Sequence, residues 1–287
     1  MDDRELLKTV MGIVGEENCR DDCAVFPCGD QVMVATTDML HKTTDFVDGM
    51  SDWQCGWMSA AVTISDLASM GAAPKYVLIA VGLDRWEHLA GVMQGAQDCC
   101  KKFGAAIIGG DIDHHNELTV VTTGLGLADP GHLARREGAR PGDLVCITGT
   151  PGQAQAWLDG YKQFEKELFE PQPRVAEGQA LARGGVTAMM DDSDGIALSL
   201  YDLTSVNACG FSIDSSLVPR PMGVPEPQAR ELALYGGGDY ELIFTLAPDR
   251  YPVAGVPCTV IGKAIPEKAV LADGNPMEKR GYQHRWA

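Results

Sequence analysis

Residues 53–83 read WQCGWMSAAVTISDLASMGAAPKYVLIAVGL. From Trp53 to Met70 the apolar residues recur at helical spacing, and Gly71 supplies the stop that a helix C-terminus favours. Residues 76–83 then read as a strand, so a helix hands over to a strand within a few residues. The alternation continues on both sides. Residues 6–14 predict a short helix, 32–37 a strand, 87–103 a helix, and 105–108 and 118–127 strands. Further on, 144–148, 240–246 and 259–264 read as strands, and 173–183 and 195–208 as helices. The fold class is α/β or α+β with a mixed sheet. The Pro- and Gly-bearing segment 129–143 is the expected boundary between a domain of residues 1–130 and one of residues 131–287.

The chain has 287 residues, enough to bury two modest cores. Its formal charge of −17 leaves no basic face for nucleic acid or an anionic membrane. An acidic protein that handles anions needs metal ions. The nine cysteines are scattered, no basic stretch followed by an apolar run opens the chain, and no window reaches the roughly 18–20 apolar residues of a membrane span. A reducing cytoplasm is expected. Cys19, Cys23 and Cys28 with His41 lack the second close ligand pair of a structural zinc site, so they read as small packed thiols.

Aspartates recur beside small residues at the ends of the predicted elements. They are Asp21-Asp22, Asp38 after Thr36-Thr37, Asp66 after Ser65, Asp111 after Gly109-Gly110, the run Asp191-Asp192-Ser193-Asp194-Gly195, and Asp239 after Gly236-Gly237-Gly238. Glycine lets a phosphate approach the backbone, and a carboxylate at a strand end can project into a cleft. A single such aspartate is a turn or cap residue. As a set they suit magnesium, which takes a few carboxylates together with waters and phosphate oxygens.

Familiar nucleotide signatures are absent. Gly149-Thr150-Pro151-Gly152 is not followed by Gly-Lys-Ser/Thr, Gly124-Leu125-Gly126 lacks a third glycine, and 191–195 has its glycine too early for a calcium loop. Asp113-His114-His115 matches the name of a manganese phosphoesterase signature, yet no histidine precedes Asp21-Asp22 as that family requires. It reads as an exposed loop between two strands.

Taken in order, seven blocks resemble the thiamine-monophosphate kinase family, within the superfamily of aminoimidazole ribonucleotide synthetase, selenophosphate synthetase and a hydrogenase maturation factor. They are 21–24, 36–40, 65–72, 109–111, 147–152, 191–195 and 236–242. The chain shows no cysteine tail of the hydrogenase factor and no N-terminal cysteine-lysine pair of the selenium enzyme. The resemblance implies a dimerising N-terminal mixed-sheet domain, a C-terminal α/β domain and a homodimer. It also implies several magnesium ions, held by Asp22, Thr36, Thr37, Asp38, Asp66, Asp111, Asp191 and Asp194, with no catalytic residue apart from that cluster. For ATP the matching positions are Gly110, Asp111, Arg136 and Ser193, where Arg136 offers a permanently charged fork for phosphate.

For the acceptor the resemblance implies Tyr282, which could stack on a flat ring, together with positions 45 and 238. Here Asp45 stands where bacterial members commonly have histidine, and Gly238 where they commonly have glutamate. Position 238 is therefore expected to tolerate Glu. The implied activity is transfer of the ATP γ-phosphoryl to thiamine monophosphate. Two alternatives stay open: another ATP-using enzyme of the superfamily with a different small acceptor, and a nucleotide-binding regulatory dimer.

Overall fold

The computed structural model describes residues 2–284. The first half contains α1 (Asp3–Val14), β1 (Ala24–Cys28), β2 (Gln31–His41), α2 (Asp52–Ser69), β3 (Ala73–Leu83), α3 (His88–Lys102), β4 (Ala106–His114) and β5 (Thr119–Ala128). The second contains β6 (Leu144–Thr148), α4 (Gln153–Leu158), α5 (Glu165–Phe169), α6 (Val175–Gly184), β7 (Ala188–Asp192), α7 (Ile196–Val206) and β8 (Gly210–Ile213). It ends with α8 (Glu226–Tyr235), β9 (Glu241–Leu246), β10 (Cys258–Ile265), β11 (Val270–Ala272) and β12 (Asn275–Pro276).

The first sheet has the order β1-β2-β5-β3-β4, with β3 and β4 parallel across the α3 crossover. Side chains alternate between its faces, as the pleat dictates. Val77, Ile79, Val81 and Leu83 of β3 point at α2 and α3 and are buried, while Tyr76 and Leu78 between them are exposed. Helix α2 opens on a capping box between Ser51 and Gln54, which satisfies two orphan amides. It is buried almost all round, because the sheet, α3 and α6 surround it. The hydroxyls of Ser59, Thr63, Ser65 and Ser69 and the carboxylate of Asp66 therefore sit on a helix whose surroundings are core, and each needs a partner.

The second sheet has the order β12-β11-β8-β10-β6-β9-β7. Strands β7 and β9 are buried along their whole length. Ile196 and Leu200 of α7 with Leu234 of α8 cover one face, and Leu181 of α6 covers the other. Continuous burial is what helices on both faces demand of a strand. Helix α1 differs, since none of its residues is buried. Among the described residues, no helix is long and apolar enough to cross a membrane.

The predicted elements of 6–14, 32–37, 53–70, 76–83, 87–103 and 118–127 are present with shifted ends. The strand expected at 105–108 continues to His114, so Asp113 and His114 lie on β4 rather than in a loop. Strand pairing with β3 extends it, a tertiary cause that local sequence does not carry. Strands β1, β7, β8, β11 and β12 and helices α4, α5 and α8 lie outside the elements read from the sequence. The proline of β1, Pro27, is tolerated because β1 is an edge strand.

Candidate active site

A cavity of about 260 Å³ opens where the two halves meet. Asp38 comes from β2, Asp66 from α2, Asp191 from the end of β7, and Ser193 and Asp194 from the turn that starts α7. The lining also has an apolar and aromatic part: Leu40, Val47, Met58, Val62, Leu168 and Tyr282.

Asp38, Asp66 and Asp191 are each oriented by one hydroxyl. Thr63 donates to Asp38 Oδ2 at 2.6 Å, Thr36 to Asp66 Oδ2 at 2.6 Å and Ser65 to Asp191 Oδ2 at 2.8 Å. Ser69 donates to Asp22 Oδ2. Among the described residues no protein donor reaches the Oδ1 atoms of Asp38, Asp66 or Asp191. Each carboxylate thus has one oxygen locked and one left over.

Burial holds the Asp66 carboxyl well above its usual range, and the charges of Asp38, Asp191 and Asp22 push it further. Asp38 is raised by burial and by Asp22, and Asp191 is pushed up to about 8 by burial and by Asp22. Crowded, half-desolvated carboxylates of this kind call for a cation. The carboxylate and hydroxyl donors are hard oxygens, which fit magnesium. Among the described residues, no three His, Cys, Asp or Glu side chains gather round one point. A magnesium ion here would take the rest of its shell from waters and phosphate oxygens.

Arg136 does not extend freely into the cavity. Its Nε donates to Asp22 Oδ1 at 2.7 Å, its Nη2 reaches the same oxygen, and its backbone amide donates to Asp21 Oδ1 at 2.9 Å. Burial opposes the guanidinium's charge, but Asp22 more than offsets this and its pKa is raised. Two positions expected to hold metal and ATP separately thus bind each other. Arg136→Met would leave the Asp22 carboxylate, 1% exposed, without its cation. A loss of about 3–5 kcal/mol in unfolding free energy is expected by urea titration without magnesium, and less with it.

Asp194 is likewise paired. Arg4 of α1 donates to Asp194 Oδ2 at 2.9 Å and to Asp202 Oδ2 at 2.6 Å. Nothing in the sequence around Arg4 signals this role.

Three of the expected ligand positions stand apart. In β2, Thr36 and Asp38 face α2, so Thr37 between them faces the other way, where its hydroxyl meets Thr122 O and Thr123 Oγ1, both at 3.1 Å. Asp111 pairs with Ala80 of β3 on that same outer face, at the edge strand β4, and its neighbour Gly110 does not line the cavity. The Thr37 side chain and Asp111 therefore cannot join Asp38 and Asp66 within one chain. From β2 to β4 is three strand spacings, roughly 14 Å.

On the aromatic side, Asp45 lines the cavity and also shapes its rim, because its Oδ2 accepts the His41 amide at 2.9 Å and the Thr44 hydroxyl at 2.6 Å. The Tyr282 amide donates to Asp194 O at 3.0 Å, and a Cβ on Gly281 would lie 2.2 Å from that oxygen, so the tail is threaded closely against the α7 turn. His284 also lines the cavity, edge-on to Tyr282 with centroids 5.2 Å apart. Burial and Asp45 push the Tyr282 hydroxyl up to about 12. Gly238 has φ +92°, so the tolerance of Glu expected there carries a backbone cost of about 1–3 kcal/mol. Tyr240 and His284 were not singled out beforehand. Tyr240 lay inside the quoted 236–242 block, and its φ of +54° is invisible in sequence.

Fold and site together define a phosphate-handling enzyme with an acidic, cation-demanding cleft between two mixed-sheet units. The family model described as AIR synthase related protein, N-terminal domain, matches residues 20–128. A thiamine-monophosphate kinase of Methanospirillum hungatei JF-1 is 47% identical over 288 residues, covering 100% of each chain. One from Halobacterium salinarum is 38% identical, covering 99% of this chain and 100% of the other. Among solved structures, AaThiL complexed with AMPPCP and TMP superposes with TM-score 0.91 at 22% identity, covering 99% of this chain and 97% of that one. The chain belongs to the thiamine-monophosphate kinase family.

Proposed function

We propose that the protein transfers the γ-phosphoryl group of ATP to thiamine monophosphate, giving thiamine diphosphate and ADP. The observation that carries this reading is the set of hydroxyl-locked carboxylates from both halves in one cavity with apolar and aromatic side chains. Asp38, Asp66, Asp191 and Asp194, with Asp22 behind them, would hold several magnesium ions. These supply charge neutralisation between two polyanions. An acceptor that is already a phosphate monoester offers an anionic oxygen, so no strong general base is required. The residues position the reactants for in-line transfer. Ser193 of the cavity lining and Arg136, held on Asp22, would meet the ATP phosphates, and Tyr282 and Asp45 of the same lining would pack against the acceptor's ring.

Residues 1–130 and 131–287 would act as two domains, with the first pairing to a second copy of the chain. The outer face of the first sheet supports that pairing, since it exposes Phe26, Met39, Tyr76 and Leu78 and carries Asp111. A second copy laid on this face would bring Gly110 and Asp111 to a neighbouring cavity. The unpaired thiols suit a reducing cytoplasm.

The test is to mix the protein with ATP, magnesium and thiamine monophosphate and look for thiamine diphosphate by chromatography. ATP consumption without a diphosphate product would instead favour an enzyme that activates a carbonyl oxygen. Asp45→Ala removes a charge from the acceptor wall and two anchors of the 41–47 loop. It is expected to raise KM for thiamine monophosphate while KM for ATP stays unchanged, read from initial rates under saturating magnesium.

A further inference from the structure

Tyr240 stands between two residues whose carboxylates are tied down. Asp239 accepts the amides of Gly152 at 2.6 Å and Ala154 at 2.9 Å, which fixes the start of α4. Glu241 accepts Thr148 Oγ1 at 2.5 Å and Arg174 Nε at 2.7 Å. Between these anchors the Tyr240 backbone is left-handed, with φ +54°, an outlier for a bulky side chain. The ring crosses from the second half to pack against the core beneath α2.

Tyr240 lines the cavity, and among the described residues its hydroxyl has no hydrogen-bond partner. Asp38, Asp191 and Asp194 of the cation row and Asp45 of the acceptor side line the same cavity as this ring. In a cleft lined by carboxylates, which only accept, a neutral donor at this junction is suited to an anionic oxygen.

We infer that the Tyr240 hydroxyl donates a hydrogen bond to a non-attacking oxygen of the acceptor's phosphate and holds it in line with the ATP γ-phosphorus. The inference rests on the kinase reading above. In the transfer, an acceptor oxygen forms the new O–P bond while the bond from the γ-phosphorus to the β–γ bridging oxygen breaks, and ADP leaves with that electron pair. Tyr240 keeps its proton throughout.

The experiment compares the full-length protein with Tyr240→Phe, which retains the ring packing and loses only the donor. Thiamine monophosphate binding is measured calorimetrically without ATP, and steady-state constants are measured with ATP and magnesium. The expected result is a fall of about ten- to a hundredfold in kcat/KM for thiamine monophosphate, the range for a hydrogen bond to a charged group. Acceptor binding should weaken as well, with KM for ATP and the melting temperature unchanged. Undiminished acceptor binding and turnover in Tyr240→Phe would overturn the inference, as would an equal rise in both KM values. Should Tyr240→Phe melt early, Tyr240→Asn accepts the left-handed backbone but is too short to reach the phosphate. It should lose acceptor binding, and retained binding would again overturn the inference. A wild-type protein that neither binds nor phosphorylates thiamine monophosphate would instead overturn the kinase reading.

Discussion

Asp38→Asn and Asp191→Asn should each lower kcat by about two to three powers of ten at saturating magnesium, the scale of losing one preorganised electrostatic group. Both substitutions keep the side chain's size and remove its charge. The Thr63 and Ser65 hydroxyls can still donate to the amide oxygen, so the local geometry survives. The metal-free protein should respond in the opposite sense. Asp191 titrates near 8 in the folded chain because of burial and Asp22, against roughly 3.9 unfolded. The folded state therefore binds the extra proton between those values, and this contribution to stability is complete below about pH 4 and lost as pH rises through 8. Relative to wild type, metal-free Asp191→Asn should gain stability steadily across that window, and magnesium should raise the melting temperature of wild type more than that of the variant. An active Asn variant, or one whose stability relative to wild type is flat with pH, would refute the role of the cluster.

Mixing two inactive variants should restore activity. Asp111 lies on the outer face of the first sheet and cannot meet Asp38 within its own chain, so the proposed dimer must supply it from the second copy. Asp38→Asn and Asp111→Asn homodimers would then both be inactive. After subunit exchange, half of the dimers are mixed, and in each of these one site carries both intact aspartates while the other carries neither. Activity of about a quarter of wild type is expected, as symmetry of a two-fold assembly requires. Light scattering should report twice the chain mass for all species. A fully active Asp111→Asn protein, or a mixture that stays dead despite exchange, would show that each chain works alone.

Much of this arrangement is legible in the residues. The helical spacing of 53–70 ending at Gly71 predicts α2, and strand patterning predicts β3 and β5, because amphipathic or fully buried runs follow from local periodicity. The aspartates that punctuate the motifs predict Asp38, Asp66, Asp191 and Asp194 around one cavity. The facing of each strand is harder to read. Thr36 and Thr37 are the same residue type side by side, and only strand registry reveals that one turns to Asp66 and the other to Thr123. Register also governs Asp111, whose position depends on the bulge between Val77 and Leu78 in the pairing of β3 with β4. Long-range ion pairs left no trace at all. Arg136 with Asp22, and Arg4 with Asp194, join residues far apart in sequence, and no local pattern announces such partners.

Helix α1 buries none of its residues and is joined to the rest of the chain largely through Arg4. Its attachment is therefore governed by ionic strength rather than by the hydrophobic effect, since dissolved ions screen partly exposed pairs and leave buried apolar contacts intact. Raising the ionic strength should therefore weaken the hold on the helix. Were the proposed magnesium to bind Asp194, it would compete with Arg4 for that one carboxylate, while Asp202 would still hold the guanidinium.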